Sequence, residues 1–401
     1  MTLERTAVVV GGGIGGLTAA VALLRAGWRV TVLEQAPRFA EVGAGIALTA
    51  NGLAALDHLG LGDAARAAGW RVHLDGTMDH RGRWLLRTPR QSGRLGEVYG
   101  IYRPELHRVL REAAAEGAEL RTDARVVGIE PGVPGQPDGG AQACVLLARP
   151  DGVGEPERLA ADLVVGADGL RSVVRSVVDP AATLRYCGMS AWRGIVHEPG
   201  NVHDSFVVRW GPGAEMGAVR LDAERVYWYG FAASDEGVRW SDEQGAALAR
   251  FADWAEPART LIARTRPEDV IRHDVYSVQP LRTYVAEHVV LVGDAAHAML
   301  PTMGQGANSS IEDGVTLGIF LGSDGARSSG DPVGSALERY ERARRPRTQA
   351  IARRSLTAAR FGAGLEGRLA VGARNLAVRS VPGALAARGT GAVLRWAPPA
   401  A

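Results

Sequence analysis

The residues with the clearest chemical meaning stand at the start of the chain. Gly11-Gly12-Gly13-Ile14-Gly15-Gly16 contains the spacing G-x-G-x-x-G. Such a turn binds phosphate: Gly11 permits the tight bend, Gly13 lets the backbone approach a pyrophosphate, and Gly16 lets the next helix pack closely on the preceding strand. The helix N-terminus adds unpaired amide donors and the positive end of the helix dipole. Glu34 follows about 20 residues on, where an acid binds a ribose hydroxyl. An acid there, rather than an arginine, disfavours a 2′-phosphate on that ribose. This much points to a dinucleotide without choosing between FAD and NAD. Two later segments carry further chemistry: Gly293-Asp294-Ala295-Ala296-His297, and Asp162 to Arg175 with Gly166, Asp168, Gly169 and Arg171 inside it.

Elements of definite type must position these residues. Ala7–Val10 is continuous, β-branched and apolar, as in a strand buried on both faces. Leu17–Ala26 reads as a helix closed by Gly27, and Arg29–Leu33 as a second buried strand, so the chain opens with a βαβ unit and an α/β fold. Asn51–Leu59 and Pro104–Glu116 read as helices, and Leu159–Val165 as one buried strand ending at Gly166. Val289–Val292 reads as a third strand of the first sheet. Gly306–Phe320 and Val333–Ala359 read as helices, while the tail from Gly362 is weakly helical. Between Val196 and Ala233 aromatic and β-branched residues alternate with polar ones, as in antiparallel strands with one covered face. Gly132–Gly140, rich in Pro and Gly, reads as a surface turn.

The three motifs, in this order and spacing over roughly residues 5–355, resemble those of the class A flavoprotein monooxygenases, the family of para-hydroxybenzoate hydroxylase, salicylate hydroxylase and zeaxanthin epoxidase. The resemblance implies a Rossmann-like FAD-binding domain of the glutathione reductase type, interrupted by an antiparallel β-sheet substrate domain and followed by C-terminal helices. The corresponding boundaries are 1–75, 98–180 and 275–330 for the FAD domain, 76–97 and 181–274 for the substrate sheet, and 331–401 for the helices. It places the ADP half of FAD on Gly11, Gly13, Ile14, Gly15 and Gly16, with Glu34 and Gln35 at the ribose and the Val126 amide at adenine. Asp294 would take the ribityl chain, and Asp168 would serve FAD and a transient NADH or NADPH. Glu41-Val42-Gly43-Ala44-Gly45-Ile46 and Ala47 resemble the segment over the flavin, with Gly43 closer to the salicylate hydroxylase branch. Arg103, at a helix start, would contact the cofactor. Gly304, Gly306, Ala307 and Asn308, in Pro301–Asp313, resemble the loop at the flavin ring, with Pro301 lining the face where oxygen reacts.

In the family NAD(P)H reduces the flavin and leaves, oxygen adds at flavin C4a, and the resulting hydroperoxide attacks an electron-rich carbon. The protein orients the substrate, excludes water and supplies protons. The expected substrate is an aromatic or polyene-like small molecule, with O2. Ser190–Val196 reads as the first strand of its pocket, with Met189, Ala191, Arg193 and Ile195 on one face and Trp192 and Val196 on the other. Arg193 holds an anionic substrate or is a surface arginine. Tyr229, alternating with Trp228, faces substrate or packs in a core. His297 acts chemically or only hydrogen-bonds within the fold. The sequence names no base.

Composition closes off other classes. A formal net charge of +2 gives no electrostatic case for nucleic acid. The two cysteines, Cys144 and Cys187, form no metal-type spacing, so no metal is expected and a reducing, cytoplasmic setting follows. No apolar run reaches the ~20 residues that span a bilayer, and no leader is expected before the first strand. Epoxidation, Baeyer–Villiger oxygenation or plain flavin reduction of a polyene, polyketide or terpenoid fits the same cofactor frame, as does a non-catalytic binding protein of this fold. No Trp-x-Trp-x-Ile-Pro segment of a flavin halogenase is present. Arg368, Arg374, Arg379, Arg388 and Arg395 lie among Ala, Leu and Val. Capping of the substrate domain is preferred to membrane contact for this tail.

Overall fold

The computed structural model describes residues 5–39, 44–88, 96–132, 142–149, 154–197, 204–322 and 331–400. The segment Glu41–Gly43, residues 133–140 of the stretch expected to form a surface turn, and residues 323–330 lie outside the described residues.

Thr6–Val10 sits inside a six-stranded sheet ordered Val285–Ala286, Val289–Leu291, Leu163–Gly166, Thr6–Val10, Arg29–Leu33 and Glu119–Arg121. All neighbours are parallel except the first pair. The β-branched runs make this possible, because a parallel sheet is covered on both faces and Val9, Val32, Val164, Val165 and Val290 are fully buried here.

Helix Ile14–Arg25 lies against helix Gly306–Gly322. Their contact is made by small residues four apart on one helix face. A Cβ added at Gly314 would stand 2.7 Å from the Ala19 nitrogen, and one at Gly318 would stand 2.6 Å from the Ala22 Cβ. The two backbones therefore nearly touch. The helix that follows the phosphate-type loop and the helix that follows the later glycine loop are thereby fixed as one body.

The second sheet has nine strands, in the order Ile271–Val278, Leu184–His197, Arg225–Ala233, Ala214–Arg220, Ser205–Gly211, Gly69–Asp79, Val98–Tyr102 and Gly45–Leu48, with Trp84–Arg87 beside Gly69–Asp79. It does not respect the boundaries drawn from the sequence. The divisions at 75/76 and 274/275 fall inside strands Gly69–Asp79 and Ile271–Val278. Gly45–Leu48 and Val98–Tyr102, expected in the FAD domain, belong to this sheet. The reason is the length of Gly69–Asp79: its first residues pair with Val98–Ile101 and its later ones with Ser205–Trp210. The sheet is also covered on both faces rather than one, because helices Glu243–Arg250 and Ala258–Arg264 bury Trp192, Val196, Met216 and Trp228 on the far side.

The single strand expected over Leu159–Val165 is two. Glu157–Ala161 joins Ala143–Leu147 and Val126–Glu130 in a three-stranded antiparallel sheet, and Leu163–Gly166 joins the parallel one. Asp162 makes the switch: its carboxylate accepts the Thr6 amide at 2.8 Å and the Thr6 hydroxyl at 2.9 Å.

Three helices close the chain: Pro332–Gly362, Arg368–Arg379 and Gly383–Leu394. Among the described residues no helix is long and apolar enough to cross a membrane. The tail packs back on the sheets: Arg374 lies over the Trp210 ring and donates to the Gly362 carbonyl, and Arg379 donates to the Trp84 carbonyl at 3.3 Å.

Gly318→Leu will force the two packed helices apart and lower stability by about 3 kcal/mol, the upper range for overpacking against backbone. Thermal unfolding of the purified variant reads this; an unchanged midpoint would show that the glycine contact is dispensable.

Candidate active site

The phosphate-type turn has the backbone that its glycines require. Gly11 has φ +105° and leaves only 2.4 Å between an added Cβ and the Ala167 carbonyl oxygen. At Gly16 the added atom would lie 2.0 Å from the Gly11 oxygen, so strand and helix pack with no side chain between them. Gly13 is the N-cap of the helix that begins at Ile14. His107, on helix Arg103–Ala115, braces the turn with its Nε2 2.8 Å from the Gly12 carbonyl oxygen. Glu34 curls toward the same turn, accepting the Gly12 amide at 3.0 Å and the Ala36 amide at 2.8 Å. Gln35 is exposed beyond it. The Ala124 amide donates to the Glu34 carbonyl at 2.9 Å, which brings the strand beginning at Val126 beside this end of the site.

Asp168 caps helix Val173–Val178, accepting the Val173 and Val174 amides at 2.6 and 3.1 Å and the Ser172 hydroxyl. Burial nonetheless raises its pKa above the usual carboxylate value. Arg175, from the same helix, donates to the Ala295 carbonyl at 3.1 Å and to the Leu170 carbonyl, tying the Asp-Gly motif to the Gly-Asp motif. Asp294 is exposed while Gly293 before it and Ala295 to His297 after it are buried. Its carboxylate is thus presented outward at the start of its short helix. Arg103 begins its helix half-buried, and its amide donates to the Ala44 carbonyl at 2.9 Å.

The glycine loop after Asp294 rests on a buried polar network. Asp313 accepts the Gly293 amide at 2.9 Å, pairs with His297 Nε2 at 2.5 Å and accepts Arg344 Nε at 2.6 Å. Glu312 accepts Arg344 at 2.5 Å, Arg347 at 2.7 and 2.8 Å, and Asn51 at 2.6 Å. Asn51 also donates to Gln305, and Gln305 to Thr49. Burial alone would raise both carboxyls, but Arg344 and Arg347 hold Glu312 low, and His297 and Arg344 bring Asp313 down to about 2. His297 is 3% exposed and spent on Asp313. Through Asp313 it joins the network under the loop, an arrangement that supports the reading of His297 as a residue that hydrogen-bonds within the fold. Asn308 is likewise used within the protein: its side chain takes the Thr49 amide at 3.0 Å and gives to the Ala47 and Gly304 carbonyls at 2.9 and 2.8 Å. Gly304 is left-handed at φ +62°, Gly306 opens the helix with Ala307 half-buried next to it, and Pro301 heads the turn that leads in.

Opposite this loop stands one face of the nine-stranded sheet. The register sets Arg193 against Tyr229, Ile195 against Tyr227, Tyr229 against Gly217, and Phe231 against Glu215. Met189, Ala191, Phe231 and Val275 pack with Leu300, just before Pro301, so this face adjoins the loop. Arg193 is half-buried, its Nε enclosed without a hydrogen bond among the described residues. His273, paired with Ala191, is driven down to about 4 by burial and by Arg193 and Arg272, so it is neutral near pH 7. Glu215 and His273 went unnoticed in the sequence. Alternation was the only available signal for them, and a strand's facing residues follow from its partners' register.

A family model described as FAD binding domain matches residues 4–355. The chain belongs to this FAD-binding family. The aurachin C monooxygenase/isomerase of Stigmatella aurantiaca is 35% identical over 84% of this chain and 85% of its own length. The 3-amino-4-hydroxybenzoate 2-monooxygenase of Streptomyces cremeus is 37% identical over 86% of this chain and 85% of its own length. Among solved structures, Klebsiella pneumoniae HpxO complexed with FAD and uric acid superposes with TM-score 0.84 at 25% identity, covering 98% of this chain and 97% of that one.

The described residues fit FAD. A positive-φ Gly11 without room for a Cβ, the open N-terminus at Ile14, the Glu34 carboxylate and the outward Asp294 supply places for pyrophosphate, ribose and ribityl groups. No cluster of metal-ligating side chains occurs among the described residues.

Arg344→Met will leave Asp313 without its arginine and Glu312 with Arg347 and Asn51. The expected loss is about 3–5 kcal/mol, as for other buried pairs broken on one side. Chemical denaturation of the FAD-loaded protein checks it, and a loss below about 1 kcal/mol would refute the bracing role.

Proposed function

We infer that this FAD-dependent monooxygenase hydroxylates an aromatic small molecule that carries an anionic group, using O2 and NADH or NADPH inside the cell. The observation that carries the reading is the sheet face beside the glycine loop, where Arg193 stands among Tyr227, Tyr229, Phe231 and Leu300 with no carboxylate partner among the described residues. Bound FAD supplies the activation of O2 once the nicotinamide has reduced it. The chain's own part is binding and orientation. Arg193 takes the carboxylate or phenolate, and the tyrosines and Phe231 flank the ring. The amide groups at the Gly306 helix start favour negative charge on the cofactor ring. Gly11, Gly13 to Gly16, Glu34, Gln35 and Val126 hold the ADP half, with Asp168, Asp294, Arg103, Ala47 and the loop Gly304 to Asn308 at the flavin half. Pro301 lines the reacting side.

A second reading is favoured by the apolar cluster of Met189, Ala191, Phe231, Val275 and Leu300 beside Arg193. Such a wall suits a ring with an apolar extension. Oxygenation of a polyketide- or terpenoid-derived aromatic, by hydroxylation or epoxidation, fits that wall.

NAD(P)H consumption by the FAD-loaded protein across phenols, aromatic acids, indoles and polyenes tests both, with product masses recorded. A product heavier by one oxygen atom supports oxygenation and names the class; tight FAD with no oxygenated product refutes it. With the active compound, Arg193→Ala will raise KM about 10–100-fold, the value of a hydrogen bond to a charged group, with a smaller change in kcat. An unchanged KM would remove Arg193 from the site.

A further inference from the structure

Glu215, on strand Ala214–Arg220, is a buried carboxyl, 2% exposed, on the same face of the sheet as Tyr229; unlike Asp79 on that face, which pairs with Arg83, it has no arginine partner among the described residues. Its Oε2 accepts the Trp210 indole N–H at 3.0 Å. Its other oxygen, Oε1, is buried with no well-aligned donor among the described residues, and the Tyr229 hydroxyl is the polar group that reaches it. Tyr229 lies flat over Gly217, where an added Cβ would stand 2.5 Å from the tyrosine hydroxyl oxygen. Glycine at 217 thus creates the slot that lets Tyr229 lie over the neighbouring strand and reach Glu215. On its other side Tyr229 is the direct cross-strand partner of Arg193, and such partners hold their Cβ atoms about 5 Å apart.

The surroundings determine the proton on Glu215. A buried carboxylate needs a cation or several donors, and Glu215 has neither. Trp210 gives one hydrogen bond, and Arg374, from helix Arg368–Arg379, lies on the Trp210 ring and not on the carboxyl. Arg193 and the neutral His273 are on strands further along the sheet. Burial therefore pushes Glu215 up to about 8.

We propose that Glu215 is a positioning residue for substrate recognition: as a neutral acid it donates from Oε1 to the Tyr229 oxygen and leaves the tyrosine O–H free to donate to substrate, so that the tyrosine and Arg193 together hold one oxygen anion of the substrate. The proposal rests on the oxygenase reading and deepens it, because it names the group recognised: a carboxylate or phenolate oxygen that takes a guanidinium and a phenol donor at once. The sign with pH follows. Below about 8 Glu215 is neutral and the hydrogen-bond chain runs toward the substrate. Above it the carboxylate accepts a hydrogen bond from the tyrosine O–H instead, the donor is lost to the substrate, and a negative charge appears behind an anionic ligand. Affinity falls.

Two measurements on the FAD-loaded protein decide this. Infrared titration should show a protonated carboxylic-acid band at pH 7 that disappears as pH passes about 8, is missing in Glu215→Gln and shifts in frequency in Tyr229→Phe. Benzoate, fully ionised across the range, should bind about tenfold more weakly at pH 9 than at pH 7, as the competent fraction shrinks, followed by flavin absorbance. That dependence should vanish in Glu215→Gln. No carboxylic-acid band at pH 7, a band that survives Glu215→Gln, no binding of benzoate, or the same pH dependence in Glu215→Gln would each overturn the proposal. Neither measurement requires turnover, so a protein that oxygenates nothing would defeat the functional reading and leave this result standing.

Discussion

The buried pair of carboxylates at Glu312 and Asp313, with Arg344 between them, is the constraint on which the rest of the site depends. Two adjacent acids inside a helix with no exposure would ordinarily be expelled or protonated. Here one guanidinium serves both, at 2.5 and 2.6 Å, and Arg347 completes Glu312. The energy of such a network is modest compared with an apolar replacement, but its geometry is demanding. Asp313 takes the amide of Gly293, whose φ of +61° makes the bend that presents Asp294 outward. Glu312 takes Asn51, which through Gln305 and Thr49 fixes the loop before Gly306. The bend at Gly293 and the loop before Gly306 are therefore held by one charge cluster.

Close glycine contacts extend that rigidity to the turn Gly11–Gly16 and its helix. Gly314 and Gly318 let the flavin-loop helix lie on Ala19 and Ala22 of the first helix. Gly15 meets Ser310 in the same way, with an added Cβ 3.2 Å from the Ser310 Cβ. A cofactor that spans both loops needs them at a fixed separation, and backbone-to-backbone packing tolerates less play than interlocking long side chains. The substrate sheet meets this body at Leu300, so the substrate face is referenced to the cofactor loop through Phe231, Met189 and Ala191.

The cofactor frame was legible in the sequence for a local reason. Gly11, Gly16 and Gly304 answer to backbone conformation or to neighbours within the same turn, and Glu34 and Asp294 sit at the ends of short buried strands that any reading of periodicity finds. The roles of Asn308 and His297 were less legible, because their motif positions do not reveal that their side chains are consumed by Ala47, Thr49 and Asp313. The domain boundaries were displaced for a similar reason: Gly69–Asp79 looks like one strand but pairs with different partners at its two ends.

The sequence by itself determined the α/β beginning, the dinucleotide turn, the family and the two-faced strand that carries Arg193. Each follows from residue type and spacing, within a few positions for the turn and the strands and from the order of three motifs along the chain for the family. Only the tertiary structure decided which charged groups meet. Arg344 lies 31 residues from Asp313, and Trp192 donates to a glutamate 51 residues away. The same holds for the setting of Glu215 between Trp210 and Tyr229, which depends on the register of three antiparallel strands. A one-residue slip would send every side chain of a strand to the opposite face, so the chemistry of that face is a property of the assembled sheet.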